Sequence, residues 1–134
     1  MLRAIAGFCL GGAVLAACAV AEMPEPPEGQ ALFMENCALC HGADGRGGGE
    51  IADGMQPAPS DLTRISARNG GTFPRAQVLS QIDGYTRMDR TEEMPEFGLL
   101  LRGDTVPVDV GDGQLTPVPR PLAAVALYLE SIQR

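Results

Sequence analysis

At 134 residues the chain has room for one small domain, and its four Phe and two Tyr, with no Trp, leave few large side chains to fill a core. The formal net charge is −7 and every cation is an arginine, which excludes the basic surface that nucleic-acid binding requires. Such a balance favours a protein partner that carries a basic patch.

The chain opens with a single charge, Arg3, then an apolar run ending in Ala16-Ala17. A basic start, an apolar middle and a small-residue end are the layout of a secretory signal over residues 1–17. The sequence Leu15-Ala16-Ala17-Cys18 resembles a bacterial lipoprotein box. That resemblance implies cleavage before Cys18 and lipidation of its thiol. The absence of charge from Ala4 to Ala21 also fits an uncleaved helical anchor, and cleavage after Ala21 would release a soluble protein. All three place the domain on the periplasmic side of the inner membrane, with a lipid anchor on Cys18 as the leading expectation. Residues 18–27, rich in Pro and Glu, form an extended tether.

The domain itself spans residues 28–134. Pro27 and Glu28 suit a helix start. Gly29, Phe33 and Cys37 recur at a spacing of four, which puts them on one helical face. The helix leads into Cys37-Ala38-Leu39-Cys40-His41, which reads C-x-x-C-H, the attachment pattern for c-type haem. Two thiols at that spacing can add to the two vinyl groups of one porphyrin, and the adjoining imidazole then lies beneath the iron. A zinc site would need two more ligands, yet His41 is the only histidine, and Cys9 and Cys18 fall in or beside the signal. A thioredoxin-like pair would need a βαβ setting, and no strand-rich run precedes Cys37. One covalent haem also explains how so few aromatic residues can close a core.

Gly42 to Gly49 is glycine-rich but lacks the Lys-Ser/Thr of a phosphate loop, and it reads as a flexible loop close to the haem edge. Ser60 or Asp61 caps a short helix through Arg68, with Leu62 and Ile65 inward. A further helix begins near Pro74, turns Val78, Leu79 and Ile82 inward and ends at Gly84. Between Tyr85 and Gly98, Met94 lies outside any helical period and next to Pro95, in an acidic loop. Its soft sulfur suits the sixth position of low-spin haem iron. Met88 is the competing candidate, but its neighbours Arg87, Asp89 and Arg90 resist burial against a porphyrin. Leu99-Leu100-Leu101 reads as a buried helical turn. Val106 to Val118 alternates around Gly111-Asp112-Gly113 as a small hairpin, which Pro107, Pro117 and Pro119 limit to an irregular ribbon. Pro121 opens a last helix running to Gln133, with Leu122, Val125, Ala126 and Leu129 on one face.

Taken together, Gly29-x-x-x-Phe33-x-x-x-Cys37-x-x-Cys40-His41, Met94-Pro95 and Val125-Ala126-Leu127-Tyr128-Leu129 resemble the class I cytochrome c family. The resemblance implies an all-α fold wrapped around one covalently bound haem c, with the hairpin as an insert of no assigned role. It implies a crossing of the first and last helices at Gly29, Phe33 and Tyr128. It also implies His41 and Met94 as axial iron ligands, and a proline carbonyl on the second nitrogen of His41, with Pro59 as candidate and Pro57 next. The implied function is one-electron transfer, not enzymatic turnover. The expected partners are a quinol-oxidising complex and an oxidase, reductase or dehydrogenase. A haem subunit of a periplasmic dehydrogenase complex is the alternative. A haem enzyme or gas sensor would require an open iron position.

Overall fold

The computed structural model describes residues 22–85 and 94–134. In chain order these form α1 (Pro26–Asn36), α2 (Ala38–His41), a 3-10 turn (Leu62–Arg64), α3 (Ile65–Arg68), α4 (Arg75–Asp83), β1 (Thr105–Asp109), β2 (Leu115–Pro119) and α5 (Arg120–Ser131). Cys18 and Met88 lie outside the described residues. No described helix is long and apolar enough to cross a membrane.

Helix α1 begins at Pro26, two residues before Glu28, because a proline in the first turn lacks only an N–H that has no helical partner there. Its inner face meets α5. At Gly29 the two backbones come close: a Cβ on it would overlap the Ala124 carbonyl and crowd the Tyr128 Cβ. One turn further, the fully buried Phe33 packs on Tyr128 with ring centroids 5.3 Å apart and planes tilted by 50°. The expected crossing of first and last helices is therefore present.

Helix α5 is the hub of the core. Leu122, Ala123, Ala124, Val125, Ala126, Tyr128 and Leu129 are all buried, which encloses the helix on more than one side. Two bidentate ion pairs tie it to its neighbours. Arg120 Nε and Nη2 donate to Glu28 of α1 at 3.1 and 2.7 Å, and Arg75 Nε and Nη2 of α4 donate to Glu130 at 2.9 and 2.9 Å. Planar two-point contacts of this kind fix orientation as well as distance. Helix α4 buries Val78, Leu79 and Ile82 and ends at Gly84, whose φ of 89° is the left-handed conformation expected of a helix-ending glycine.

Two expectations need correction. The hairpin is a regular antiparallel pair, not an irregular ribbon, and its register sets Thr105 opposite Pro119 and Pro107 opposite Pro117. Antiparallel positions alternate between hydrogen-bonded and non-bonded pairs. The Arg120 N–H donates to the Asp104 carbonyl at 2.7 Å, which assigns the bonded positions to Asp104, Val106 and Val108. All three prolines thus fall where no ladder N–H is needed. The same alternation turns Val106, Val108 and Val118 into the core. The leucine run is likewise not a buried turn. Leu101 is 3 % exposed, while Leu99 and Leu100 are 74 % and 65 % exposed, because the chain makes a tight turn that presents only one residue inward.

Candidate functional site

Residue Cys37 closes α1 with its N–H on the Phe33 carbonyl at 2.8 Å, and the His41 N–H donates in turn to the Cys37 carbonyl at 2.9 Å. The attachment motif is therefore an extension of α1, and its position is inherited from the α1–α5 crossing. Glycine explains the next segment. The Gly47 N–H donates to the His41 carbonyl at 2.7 Å and the Gly49 N–H to the Cys40 carbonyl at 3.0 Å. A Cβ on Gly47 would overlap the Pro59 carbonyl, and one on Gly49 the backbone of Leu39 and Cys40. The glycine-rich stretch, expected to be flexible, is pinned backbone to backbone against the motif.

The side chains of Cys37, Cys40, His41, Pro59, Met94 and Phe97 line one cleft, whose non-protein space, open mouth included, is about 760 Å³. A second, larger space of about 1040 Å³ shares Cys37, His41 and Met94 with it and reaches Phe33, Val125 and Leu129 of the core. Together they give a slot that Cys37, Cys40, His41 and Met94 all line. The Met94 sulfur lies 4.0 Å from the Gln81 side-chain nitrogen. Gln81 lines both spaces from α4. Sequence reading passed over it, although a polar residue at helical spacing beside Val78 and Ile82 was the available signal.

The imidazole of His41 has its Nδ1 3.1 Å from the Ser60 carbonyl. The carbonyl in this position therefore belongs to Ser60, one residue beyond the Pro59 named as candidate. The Pro59 carbonyl instead faces Gly47. A carbonyl can only accept, so Nδ1 carries the hydrogen and Nε2 keeps its lone pair. Burial lowers the basicity of His41, which favours the neutral ring a metal needs, while the Ser60 carbonyl acts the other way. Burial, helped by the adjacent Cys40, pushes the Cys37 thiol up to about 11, so it stays an S–H at neutral pH.

The donor set fits a haem. It offers two neighbouring thiols, one imidazole with Nε2 available and a thioether sulfur, around a slot lined largely by apolar side chains. Among the described residues no cluster of three or more His, Cys, Asp or Glu side chains is gathered as a metal site, which is not the pattern of zinc. The fold and the site define a small helical protein built to hold one covalent haem. The family model described as Cytochrome c matches residues 27–100, more than half of the chain, and the chain belongs to the cytochrome c family. Members bind haem c covalently, typically one per domain, and serve as electron carriers. The matched span includes Cys37, Cys40, His41 and Met94, whereas the hairpin and α5 lie beyond it. No curated protein and no solved structure matches the chain.

Proposed function

We infer that this protein is an exported one-electron carrier whose single haem is held by Cys37 and Cys40 and ligated by His41 and Met94. The observation that carries the reading is the convergence of these four residues on one slot, with His41 Nδ1 committed to the Ser60 carbonyl. Cys37 and Cys40 would hold the haem through thioether bonds, each by addition of S–H across one vinyl group, which needs no oxidant. The bound haem supplies a reversible ferrous–ferric couple. His41 and Met94 would be the two protein ligands of its iron, which would deny substrates the iron and keep rearrangement on electron transfer small. Thioether ligation and burial hold the potential up.

Electrons enter and leave at the edge beside the thioethers. Leu39 and Ile51 are half exposed there, joined by the Ile51 N–H on the Leu39 carbonyl at 3.1 Å, with Glu50 and Asp53 alongside. A small apolar centre beside carboxylates suits a brief encounter with a basic face on a quinol-oxidising complex, an oxidase, a reductase or a dehydrogenase. The domain works on the periplasmic side, anchored through a lipidated Cys18 ahead of α1, which begins at Pro26.

Oxidised and reduced absorption spectra test this reading. They should show a haemochrome shifted by two thioethers, a weak far-red sulfur-to-iron band in the ferric protein, and colour that stays on the chain in acid-acetone. Colour that leaves with the solvent would end the c-type assignment.

A further inference from the structure

Ser60 is exposed and belongs to no helix, so something must hold its carbonyl 3.1 Å from His41 Nδ1. The restraint starts at the next residue. Asp61 Oδ1 accepts from the Thr63 N–H at 2.9 Å and from the Thr63 hydroxyl at 2.6 Å. Arg134 then grips both residues from beyond α5. Its Nη2 lies 3.2 Å from Asp61 Oδ2, its Nε donates to Thr63 Oγ1 at 2.7 Å, and its backbone N–H donates to the Thr63 carbonyl at 3.0 Å. Gln133 adds a second grip, donating to the Leu62 carbonyl and accepting from the Ser66 N–H, each at 2.8 Å. From the other side the Leu62 N–H donates to the Gly45 carbonyl at 2.7 Å. The Thr63 hydroxyl is the centre of this brace. It is buried, it donates to Asp61 and it accepts from Arg134, so each of its roles has a partner.

We propose that Thr63, Gln133 and Arg134 are positioning residues for the His41 ligand and set the reduction potential of the haem through the Ser60 carbonyl. The proposal rests on the haem reading above. The physical link is the Nδ1–H···O=C bond. A short bond builds negative charge on the imidazole, makes Nε2 a stronger donor and favours ferric iron. A brace that loosens lets Ser60 drift, the bond lengthens and the ferrous state gains. Thr63, Gln133 and Arg134 do not themselves line the slot.

The test uses the full-length holoprotein with Thr63→Val, which removes the hub hydroxyl at nearly constant shape, Arg134→Met, and Thr63→Ser as the rescue. Three quantities are read: the midpoint potential, the His41 Nδ1 proton resonance in the ferrous protein, and the melting temperature. Thr63→Val and Arg134→Met should each shift the ferrous:ferric ratio at fixed potential about tenfold toward ferrous, about 59 mV upward for one electron. The Nδ1 proton should move upfield in both, and Thr63→Ser should restore both values. If Thr63→Val fails to fold, Gln133→Leu, which spares the buried hydroxyl, carries the same readouts. A fall in melting temperature with potential and Nδ1 resonance unmoved overturns the proposal, since the brace would then only stabilise. A wild-type protein without the thioether haemochrome overturns the haem reading and this proposal together, whereas a normal haemochrome with unmoved potentials overturns this proposal alone.

Discussion

Replacing Gly29 with Ala sets two opposing effects against each other in one methyl group. In a helix interior the change favours the folded state by about 1 kcal/mol through propensity. At this position the new Cβ would overlap the Ala124 carbonyl and crowd the Tyr128 Cβ. Neither atom can rotate away, so α1 and α5 must part. Overpacking that moves backbone costs about 1–3 kcal/mol, and parting the helices also weakens the Phe33–Tyr128 pair, worth about 0.5–1.5 kcal/mol beyond its buried area. The net is a loss of about 2 kcal/mol, or a fall in Tm of roughly 8–16 °C for a domain of this size. Thermal unfolding of the ferric holoprotein followed by circular dichroism measures it. Gly48→Ala is the control, because a Cβ on Gly48 meets nothing within 4 Å. A Gly29→Ala protein that melts at or above wild type would show that the crossing has room to spare and that propensity decides.

Met94→Ala should abolish the far-red band, lower the potential and let carbon monoxide bind ferrous iron rapidly, while Met88→Ala should leave all three nearly unchanged. The reverse pattern in absorption and stopped-flow measurements would move the ligand to Met88 without touching the haem assignment. Hydrogen bonds from the Thr63 side chain first, then the Thr63 N–H and the charge of Arg134, hold the Asp61 carboxyl below the ordinary aspartate value of 3.8. A carboxyl lowered by folding contributes its full share above that value and loses it as pH falls through the lower folded pKa. Urea midpoints should therefore drop below about pH 4, and Asp61→Asn should flatten that drop. Parallel curves for the two proteins would remove Asp61 from the account. Cys18→Ser should release the domain from membranes or stop signal processing, and an intact mass showing an unmodified start at another residue would refute the anchor.

What could be read from sequence was whatever repeats locally. The Gly29, Phe33, Cys37 spacing, the apolar face of α5 and the glycine ending α4 all follow from helical geometry, and all are found as expected. The attachment motif was legible because its chemistry needs three residues, two Cys and one His, in a fixed order. Beyond the α1–α5 crossing that the family resemblance implied, contacts between distant segments were not. Gln133 reaches Leu62 and Ser66, and Arg134 reaches Asp61 and Thr63, across some seventy residues with no local signal. The shift from Pro59 to Ser60 has the same origin, since which carbonyl faces His41 depends on how Gly47 packs on Pro59. The prolines of the hairpin misled because their tolerance depends on register parity, which a single strand does not reveal.

The two halves of the proposed ligation hang on different elements that share one support. His41 continues α1, which crosses α5 at Gly29 and is locked to it by Arg120 and Glu28. Met94 precedes a segment fastened to the end of α4 by the Phe97 N–H on the Ile82 carbonyl at 2.9 Å and the Gly98 N–H on the Asp83 carbonyl at 3.2 Å. Gly98 and Gly84 permit that approach, because a Cβ on Gly98 would strike Asp83 and one on Gly84 would strike Glu96. Helix α4 is in turn locked to α5 by Arg75 and Glu130. Displacing His41 relative to Phe97, three residues beyond Met94, therefore means moving α1 or α4 against α5. Under the proposed ligation an iron so held would keep nearly the same surroundings in both oxidation states, which is the condition for fast electron exchange. The residues from Arg120 onward, outside the span matched to the family, thus support both elements that carry the proposed ligands.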